Sequence, residues 1–314
     1  MVVAAFAWAA PTAAAEPNWP PLLIIATASP GGTYHVYGRG LAKLLTGALD
    51  LPVVEQTTEG PRENIQLIEA GDAQLGFVTM GVALQAWNGS GDWTNGRQYR
   101  EMRALFPMYD TPFHFVALED TNIRSLADMA GKRIGVGPET GTAGTYVPRF
   151  LSALNIDATL SHGAWDDLAA HLEEGTIDVL AVAGGVPFPA VAALEAKNEI
   201  RYVAPTPEEI LELRLAIPEL TASVIPPGSY PSLMTSYQTV GLYNFAVADK
   251  DLPSDLVYRI VDAVFTHQQE MIDVHPAAAA TIPANFVYNT FLPYHPGALR
   301  YYGNAATTGV VRAD

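Results

Sequence analysis

Apolar and polar positions near the start of the chain change from a strand pattern to a helical pattern within a few residues. Leu22–Ala26 is a short apolar run of the kind that forms a buried strand, and Ser29–Gly32 cannot continue it comfortably. The apolar positions that follow recur at helical spacing: Tyr34, Tyr37, Leu41, Leu44, Leu45 and Ala48. This pattern predicts a strand, a glycine-rich loop and a helix. The free N–H groups at the start of the helix and the positive end of its dipole favour binding of an anion. A tight turn with Thr33 as an ordinary helix N-cap explains the loop equally well.

The same change of pattern recurs along the chain. The sequence predicts further strands at 51–58, 75–80, 103–109, 113–118, 132–137, 157–162, 178–183, 200–204 and 240–248. It predicts helices at 61–70, 81–88, 142–154, 164–174, 187–197, 207–215 and 253–275. Strands that alternate with helices are typical of an α/β fold, with mostly parallel sheets and helices on both faces.

Two stretches of the chain repeat one arrangement. Ile68–Gly81 and Leu172–Gly185 each contain a helix end, a glycine, a buried strand and a loop of small residues. A Gly-Thr loop precedes each, at Gly32-Thr33 and at Gly141-Thr142. Two similar lobes would bind a ligand between the carboxyl ends of their strands and bury it by hinge closure. The alternative is that any two βα units look alike at this level.

Composition narrows the class of protein. The chain has 314 residues, 49% of them hydrophobic and 16% charged, which is enough for two domains with cores. Its 17 basic and 33 acidic side chains give a net charge of −16, which argues against a general nucleic-acid or anionic membrane surface. Cysteine is absent, so disulfides, thiolate catalysis and cysteine-ligated zinc are excluded.

The first residues resemble an export signal. Met1–Ala15 is apolar and alanine-rich, and Ala13-Ala14-Ala15 suits a cleavage site. The basic segment of such a signal is missing, because no lysine or arginine precedes Arg39. We therefore weigh a signal peptide against a flexible alanine-rich tail. No later apolar run predicts a membrane span, since glycines and prolines interrupt even Val179–Leu194.

Motifs of catalysis are scarce. The chain has no Gly-x-Ser-x-Gly elbow, no His-Glu-x-x-His and no P-loop, and the glycines at 135, 137 and 141 miss the dinucleotide spacing by one residue. What remains is a set of small loops rich in hydrogen-bond donors: Gly31 to Tyr34, Thr57-Thr58, Thr79 to Gly81, Thr140 to Thr142, Gly184-Gly185 and Ser229-Tyr230. Such loops suit binding of a carboxylate in a closed cleft better than acid–base chemistry, so we predict no enzyme and no cofactor.

Five segments in order resemble one known family. They are Ile25–Tyr34, Glu59–Asn64, Gly71–Val78, Ser125–Thr142 and Ile225–Pro231. With them the chain resembles the TAXI-type solute receptors of TRAP transporters. The resemblance implies a two-lobed, hinged fold like that of type II periplasmic binding proteins. Lobe one would be residues 22–118 plus 242–314 and lobe two residues 119–241, joined by hinge strands at 113–118 and 240–248.

The resemblance also implies a function. A periplasmic receptor of this kind catches a small organic acid, usually glutamate-like or another dicarboxylate, and delivers it to the membrane subunits of the transporter. The candidate ligand-binding residues are Gly31, Gly32, Thr33, Tyr34, Arg62, Thr79, Met80, Thr140, Gly141, Thr142, Gly184, Gly185 and Tyr230. The two Gly-Thr loops would hold the acid group, Thr79 and Tyr230 would shape the rest, and Arg62 would be the counter-ion.

Departures from the family pattern concern the ligand. Met80 removes a donor at a strand end that is commonly Gln-Ser in the family, and Glu139 adds an anion to the second loop. An acid that is less charged or more apolar than glutamate is therefore one hypothesis. Two other functions stay open: an enzyme on the same fold acting on a small metabolite, and a receptor that signals to a membrane sensor without transport.

Overall fold

The computed structural model describes residues 18–307. The segment predicted as an export signal, residues 1–15, lies outside this range. Within the described range, no helix combines the length and the apolar character that a membrane span requires.

The described residues contain ten strands and ten α-helices, together with four short 3₁₀ helices. The strands are β1 (Leu23–Ala26), β2 (Val53–Gln56), β3 (Leu75–Thr79), β4 (Met102–Leu118), β5 (Arg133–Gly135), β6 (Thr159–Ser161), β7 (Val179–Ala183), β8 (Ile200–Val203), β9 (Thr221–Ile225) and β10 (Tyr237–Asp249). The helices are α1 (Thr33–Leu49), α2 (Pro61–Ala70), α3 (Met80–Asn88), α4 (Thr142–Ala153), α5 (Trp165–Glu173), α6 (Pro189–Glu195), α7 (Pro207–Ala216), α8 (Ser254–Thr266), α9 (Gln268–Val274) and α10 (Pro296–Thr307).

The strands form two groups of the same design. In the first strand group, β1 lies between β2 and β3 and is parallel to both. In the second, β5 lies in the same way between β6 and β7. The two long strands β10 and β4 connect the groups in the order β2-β1-β3-β10-β4-β7-β5-β6, and β8 and β9 pair with β4 and β10. The repeated stretches of sequence therefore occupy equivalent places, as α2–β3 in one group and α5–β7 in the other.

Strand β4 corrects the prediction of two separate strands at 103–109 and 113–118. It runs without a break, although Asp110-Thr111-Pro112 has the composition of a turn. Residues up to Pro112 pair with β10, and residues from Phe113 onward pair with β7 and β8. Because proline donates no hydrogen bond, it fits where the strand changes partners.

Two other elements differ from the prediction. The segment predicted as one helix at 253–275 is two helices, α8 and α9, which meet at His267. Strand β9 has no predicted counterpart, because its outward positions are exposed and its pattern is too short to separate from a loop. The division into lobes at 118/119 and 241/242 stays a prediction.

Helix α1 shows how the apolar pattern builds the core. Tyr37, Leu41 and Leu45 are at most 2% exposed, and they pack with β1, β3 and α8 in one buried cluster. Burial of each such side chain contributes roughly 2 kcal/mol. A second cluster extends from α2 and α3 to α4. In it the ring of Phe113, from β4, meets the ring of Phe150, from α4, edge-to-face with the ring centroids 4.6 Å apart. The helices that carry the Gly-Thr loops are thus anchored by buried faces.

Candidate ligand-binding site

A cavity lies between the two strand groups, at the carboxyl ends of their strands. Its volume is about 40 Å³, measured as the space open to the centre of a water-sized sphere, so the cavity is narrow in this conformation. Loops that follow β1, β2, β5, β6 and β7, together with Thr111 of β4, form its walls. The lining residues are Ala28, Gly32, Thr33, Tyr34, Glu59, Gly60, Pro61, Thr111, Gly141, Thr142, Trp165, Ala183, Gly184 and Phe188.

Two long helices from opposite sides begin at this cavity. Gly32 is the N-cap of α1 and Gly141 the N-cap of α4, and neither helix has a side-chain cap. The first backbone N–H groups of a helix have no partner within it, and the helix dipole places partial positive charge there. The alternative in which Thr33 caps α1 is wrong, because Thr33 is already helical and its hydroxyl donates to the Gly185 carbonyl at 2.8 Å.

Six of the thirteen candidate residues line the cavity, and they come from both strand groups. They are Gly32, Thr33, Tyr34, Gly141, Thr142 and Gly184. Three others lie directly behind this lining. The Gly31 carbonyl accepts from Ala190 N at 3.0 Å, Gly185 accepts from Thr33, and the hydroxyls of Thr79 and Thr142 are 3.4 Å apart.

The remaining four candidates lie outside the cavity. Arg62 faces a separate open cleft, where its guanidinium stacks on Trp93 and donates to the Glu139 carbonyl at 3.0 Å. The exposed Thr140 hydroxyl donates to the Glu59 carboxylate. Met80 lines a groove on another side of α3. Arg62 is therefore not placed as a counter-ion inside the cavity. Burial lowers the pKa of Arg62, while the nearby carboxylates of Glu139 and Glu59 act in the opposite direction.

Tyr230, the fourth of them, is fully buried behind the cavity wall. Its hydroxyl lies 2.9 Å from His114 Nε2 and accepts from Phe188 N at 2.7 Å. His114 Nδ1 lies 3.2 Å from the Pro112 carbonyl, so this nitrogen carries the proton and Nε2 accepts from Tyr230. Burial lowers the pKa of His114 to about 4, so the ring is neutral at pH 7. Tyr230 thus positions Phe188, which does line the cavity.

Sequence reasoning missed several lining residues, above all Trp165. This side chain is 6% exposed and lies against both Gly-containing loops: a Cβ on Gly31 or on Gly137 would approach within 3 Å of it. Its ring meets that of Phe188 edge-to-face at 5.0 Å. The sequence placed Trp165 on a buried helix face, and its position at the first residue of α5, after a strand end, was the signal for a site residue.

Gly60 and Pro61 were also missed. Gly60 has φ of 140°, a conformation that L side chains rarely adopt, and a Cβ there would lie 2.9 Å from Gly141 Cα. The N-cap glycines of α2 and α4 therefore touch across the mouth of the cavity. The backbone N–H of Arg62 donates to the Thr140 carbonyl at 3.3 Å beside this contact, so the two strand groups are bonded to each other at the mouth.

The cavity offers hydrogen-bond donors but no acid–base pair. Glu59 is the one ionisable carboxylate among its lining residues, and it is exposed at the mouth. The hydroxyl of Tyr34 donates to Asn244, and burial raises the pKa of Tyr34 well above its usual value. No group of three potential metal ligands occurs within residues 18–307. The arrangement suits binding of a small molecule with an acceptor group, such as a carboxylate.

Solved structures of periplasmic proteins share this fold. MatC from Rhodopseudomonas palustris with bound malate aligns with a TM-score of 0.61 and 12% identity, over 93% of this chain and 98% of that one. The periplasmic binding protein BugD aligns with a TM-score of 0.59 and 14% identity, over 95% and 100% of the two chains. A structure described as a periplasmic transporter gives 0.54 and 14%, over 92% and 96%. The fold is therefore the α/β fold of periplasmic solute-binding proteins.

A family model gives the remaining finding. The NMT1-like family matches residues 25–305, which is nearly the whole described range and includes every residue that lines the cavity. The chain belongs to the NMT1-like family.

Proposed function

We propose that the protein is an exported solute receptor that binds a small organic acid between its two strand groups and delivers it to a membrane transporter. One observation carries the proposal: two uncapped helix N-termini, those of α1 and α4, lie at one cavity between the groups. Their N–H groups and dipoles stabilise a carboxylate without a buried cation.

The receptor role is supported by the way the groups are joined. Within the described residues, the long strands β4 and β10 lie between the two groups in the sheet: β10 pairs with β3, β4 pairs with β7, and the two pair with each other. Strands of this kind can act as hinges, so that closure buries the ligand and presents a changed surface to a membrane partner. We further propose periplasmic localisation and a TRAP-type partner, which rest on the TAXI resemblance and on the signal-like residues 1–15.

The first test is a thermal-shift screen of residues 18–314 against organic acids, amino acids and dicarboxylates. A ligand that binds only the folded state raises the melting temperature with its concentration. We expect shifts from organic acids and none from sugars or nucleotides. A shift from a non-acidic class alone, or turnover of a metabolite, would contradict the proposal.

Two variants on one helix locate the site. Thr142 lines the cavity, whereas the hydroxyl of Thr145 donates back to the Gly141 carbonyl one turn earlier. We expect Thr142→Ala to reduce the affinity for the best acid by about tenfold, since a hydrogen bond to a charged group is lost. Thr145→Ala should bind it as the unaltered protein does. Equal affinity in both variants would place the site elsewhere.

A further inference from the structure

The charge of the cavity limits the ligands it can hold. None of the fourteen lining residues is a lysine, arginine or histidine. Arg62, the nearest cation predicted from the sequence, is held outside by Trp93 and the Glu139 carbonyl. A buried charge without a partner is strongly unfavourable. The N-termini of α1 and α4 have no acidic residue in their first turns and can offset one carboxylate, whereas α2 and α5, which also begin at the cavity, already carry Glu63 and Asp166-Asp167 in theirs. A second ligand carboxylate would find no cation among the lining residues and would face Glu59 at the mouth.

Part of the cavity wall is apolar. Ala28 lies on the side of the first strand group, and Ala183 and Phe188 on the side of the second. The Tyr34 hydroxyl is already used in its bond to Asn244, so its ring is what remains available to a ligand. This part of the cavity suits a short carbon chain.

Trp165 adds one unused donor. The residue is 6% exposed, and no residue between 18 and 307 accepts a hydrogen bond from its indole nitrogen. A Cβ placed on Gly32 would lie 3.4 Å from Trp165 Nε1, and Gly32 and Trp165 line the same cavity. The indole nitrogen is not one of the fully enclosed polar atoms that lack a partner, so it is open to the cavity and can donate to a ligand oxygen there. This observation is independent of the helix ends and points to the same occupant.

We infer that the ligand is a small monocarboxylate whose remaining part is uncharged, with its acid group at the N-termini of α1 and α4 and within reach of the Trp165 indole N–H. The inference rests on the proposed function and narrows it, since the malate bound by MatC is a dicarboxylate and this cavity has no cation for a second carboxylate.

A matched pair of acids tests the charge. Butyrate and succinate have the same number of carbons, and at pH 7.5 they differ by one carboxylate. Titration calorimetry of the protein with each should show butyrate binding at least tenfold more tightly than succinate. Lactate and malate form a second pair with a hydroxyl group, and the same order is expected. Tighter binding of succinate and malate would overturn the inference and leave the proposed receptor function intact. If neither pair binds and no acid is active in the thermal screen, both the inference and the proposed receptor function are overturned.

Two tryptophan variants test the donor. Trp165→Phe keeps a ring in place but removes the N–H, and we expect the affinity for the best monocarboxylate to fall about tenfold. Trp87→Phe is the control, because Trp87 lies outside the cavity beneath the guanidinium of Arg100. Unchanged affinity in Trp165→Phe would overturn the role of the indole.

An NMR measurement on the unaltered protein covers the case in which Trp165→Phe fails to fold. The indole ¹H–¹⁵N resonance of Trp165 is assigned by elimination among the five tryptophans of the chain, using Trp→Phe variants at 8, 19, 87 and 93. Addition of butyrate should shift this resonance downfield while the others stay in place. A Trp165 resonance that does not move at saturating butyrate would overturn the contact.

Discussion

A single buried histidine links the cavity wall to strand β4. The His114 ring bonds the Pro112 carbonyl and the Tyr230 hydroxyl, and that hydroxyl receives the N–H of Phe188. Protonation of the ring would leave the Tyr230 proton without an acceptor and would bury a charge. Neutral His114 is therefore part of the native structure.

This arrangement predicts a pH dependence of stability. The folded-state pKa of His114 is about 4, below the value of about 6.5 for an unfolded histidine, so the unfolded state binds the proton first. The free energy of unfolding should therefore rise between pH 4 and pH 6.5 and level off above, with roughly 3 kcal/mol from this group. Urea denaturation at several pH values measures it. In His114→Gln this part of the dependence should disappear, and an identical pH profile would contradict the assignment.

A glycine beside the cavity depends on the absence of a side chain. Gly137 has φ of 71°, and a Cβ there would lie 2.2 Å from the Trp165 ring. Gly137→Ala should lower the free energy of unfolding by roughly 2–4 kcal/mol and weaken ligand binding, because the indole must move. Gly131→Ala is the matched control: φ is 73° and nothing lies within 4 Å, so only the backbone strain of ~1 kcal/mol is expected. Equal losses in both variants would show that the indole is not in the way.

At the scale of elements, helix α7 depends on its cap more than on its packing. Leu213 is its one fully buried side chain, and Leu211 and Leu215 are exposed. A capping box closes its start: the Thr206 hydroxyl accepts from Glu209 N at 3.2 Å and the Glu209 carboxylate accepts from Thr206 N at 2.7 Å. Thr206→Ala should therefore cost about 1 kcal/mol in denaturant unfolding, and Thr206→Ser almost nothing. A loss in Thr206→Ser as large as in Thr206→Ala would argue against the hydroxyl.

The elements also show what sequence can predict. Strong periodicity and glycine stops located α1, α2 and β3 within a few residues, because local patterns encode these elements. Strand β4 was divided in two, since the change of partners at Pro112 depends on where β7 and β10 lie. The Gly-Thr loops could be predicted as cavity walls because carboxyl strand ends meet at one edge of a sheet. Gly60 could not, since its contact with Gly141 comes from the opposite strand group. Trp165 also follows a strand end, but its contacts with Gly31 and Gly32 of the first strand group depend on the assembled fold.

At the scale of the molecule, the two strand groups are joined across the cavity by a few neutral hydrogen bonds and, at its mouth, by two bonds with a charged partner, from the Arg62 guanidinium to the Glu139 carbonyl and from the Thr140 hydroxyl to the Glu59 carboxylate. Thr33 donates to Gly185 at 2.8 Å, Ala190 to Gly31 at 3.0 Å and Arg62 to Thr140 at 3.3 Å. Each such bond contributes about 1 kcal/mol net, because the same groups bond water when they separate. These hydrogen bonds by themselves therefore favour closure only weakly, and a bound carboxylate adds interactions from both groups at once.

This balance predicts a change of size on binding. Small-angle X-ray scattering should give a radius of gyration near the ~20 Å of a compact chain of this length when the tightest acid of the screen is saturating, and a larger value without it. Variants at the mouth should shift the same balance. In Gly60→Ala the added Cβ lies 2.9 Å from Gly141 Cα, so the groups cannot close fully, and the ligand should bind more weakly with a smaller decrease in radius. If calorimetry shows full occupancy while the radius of the unaltered protein stays constant, the strand groups do not move relative to each other. In that case the ligand must enter the cavity through a local opening at Gly60 and Gly141, and not by rotation of the groups about β4 and β10.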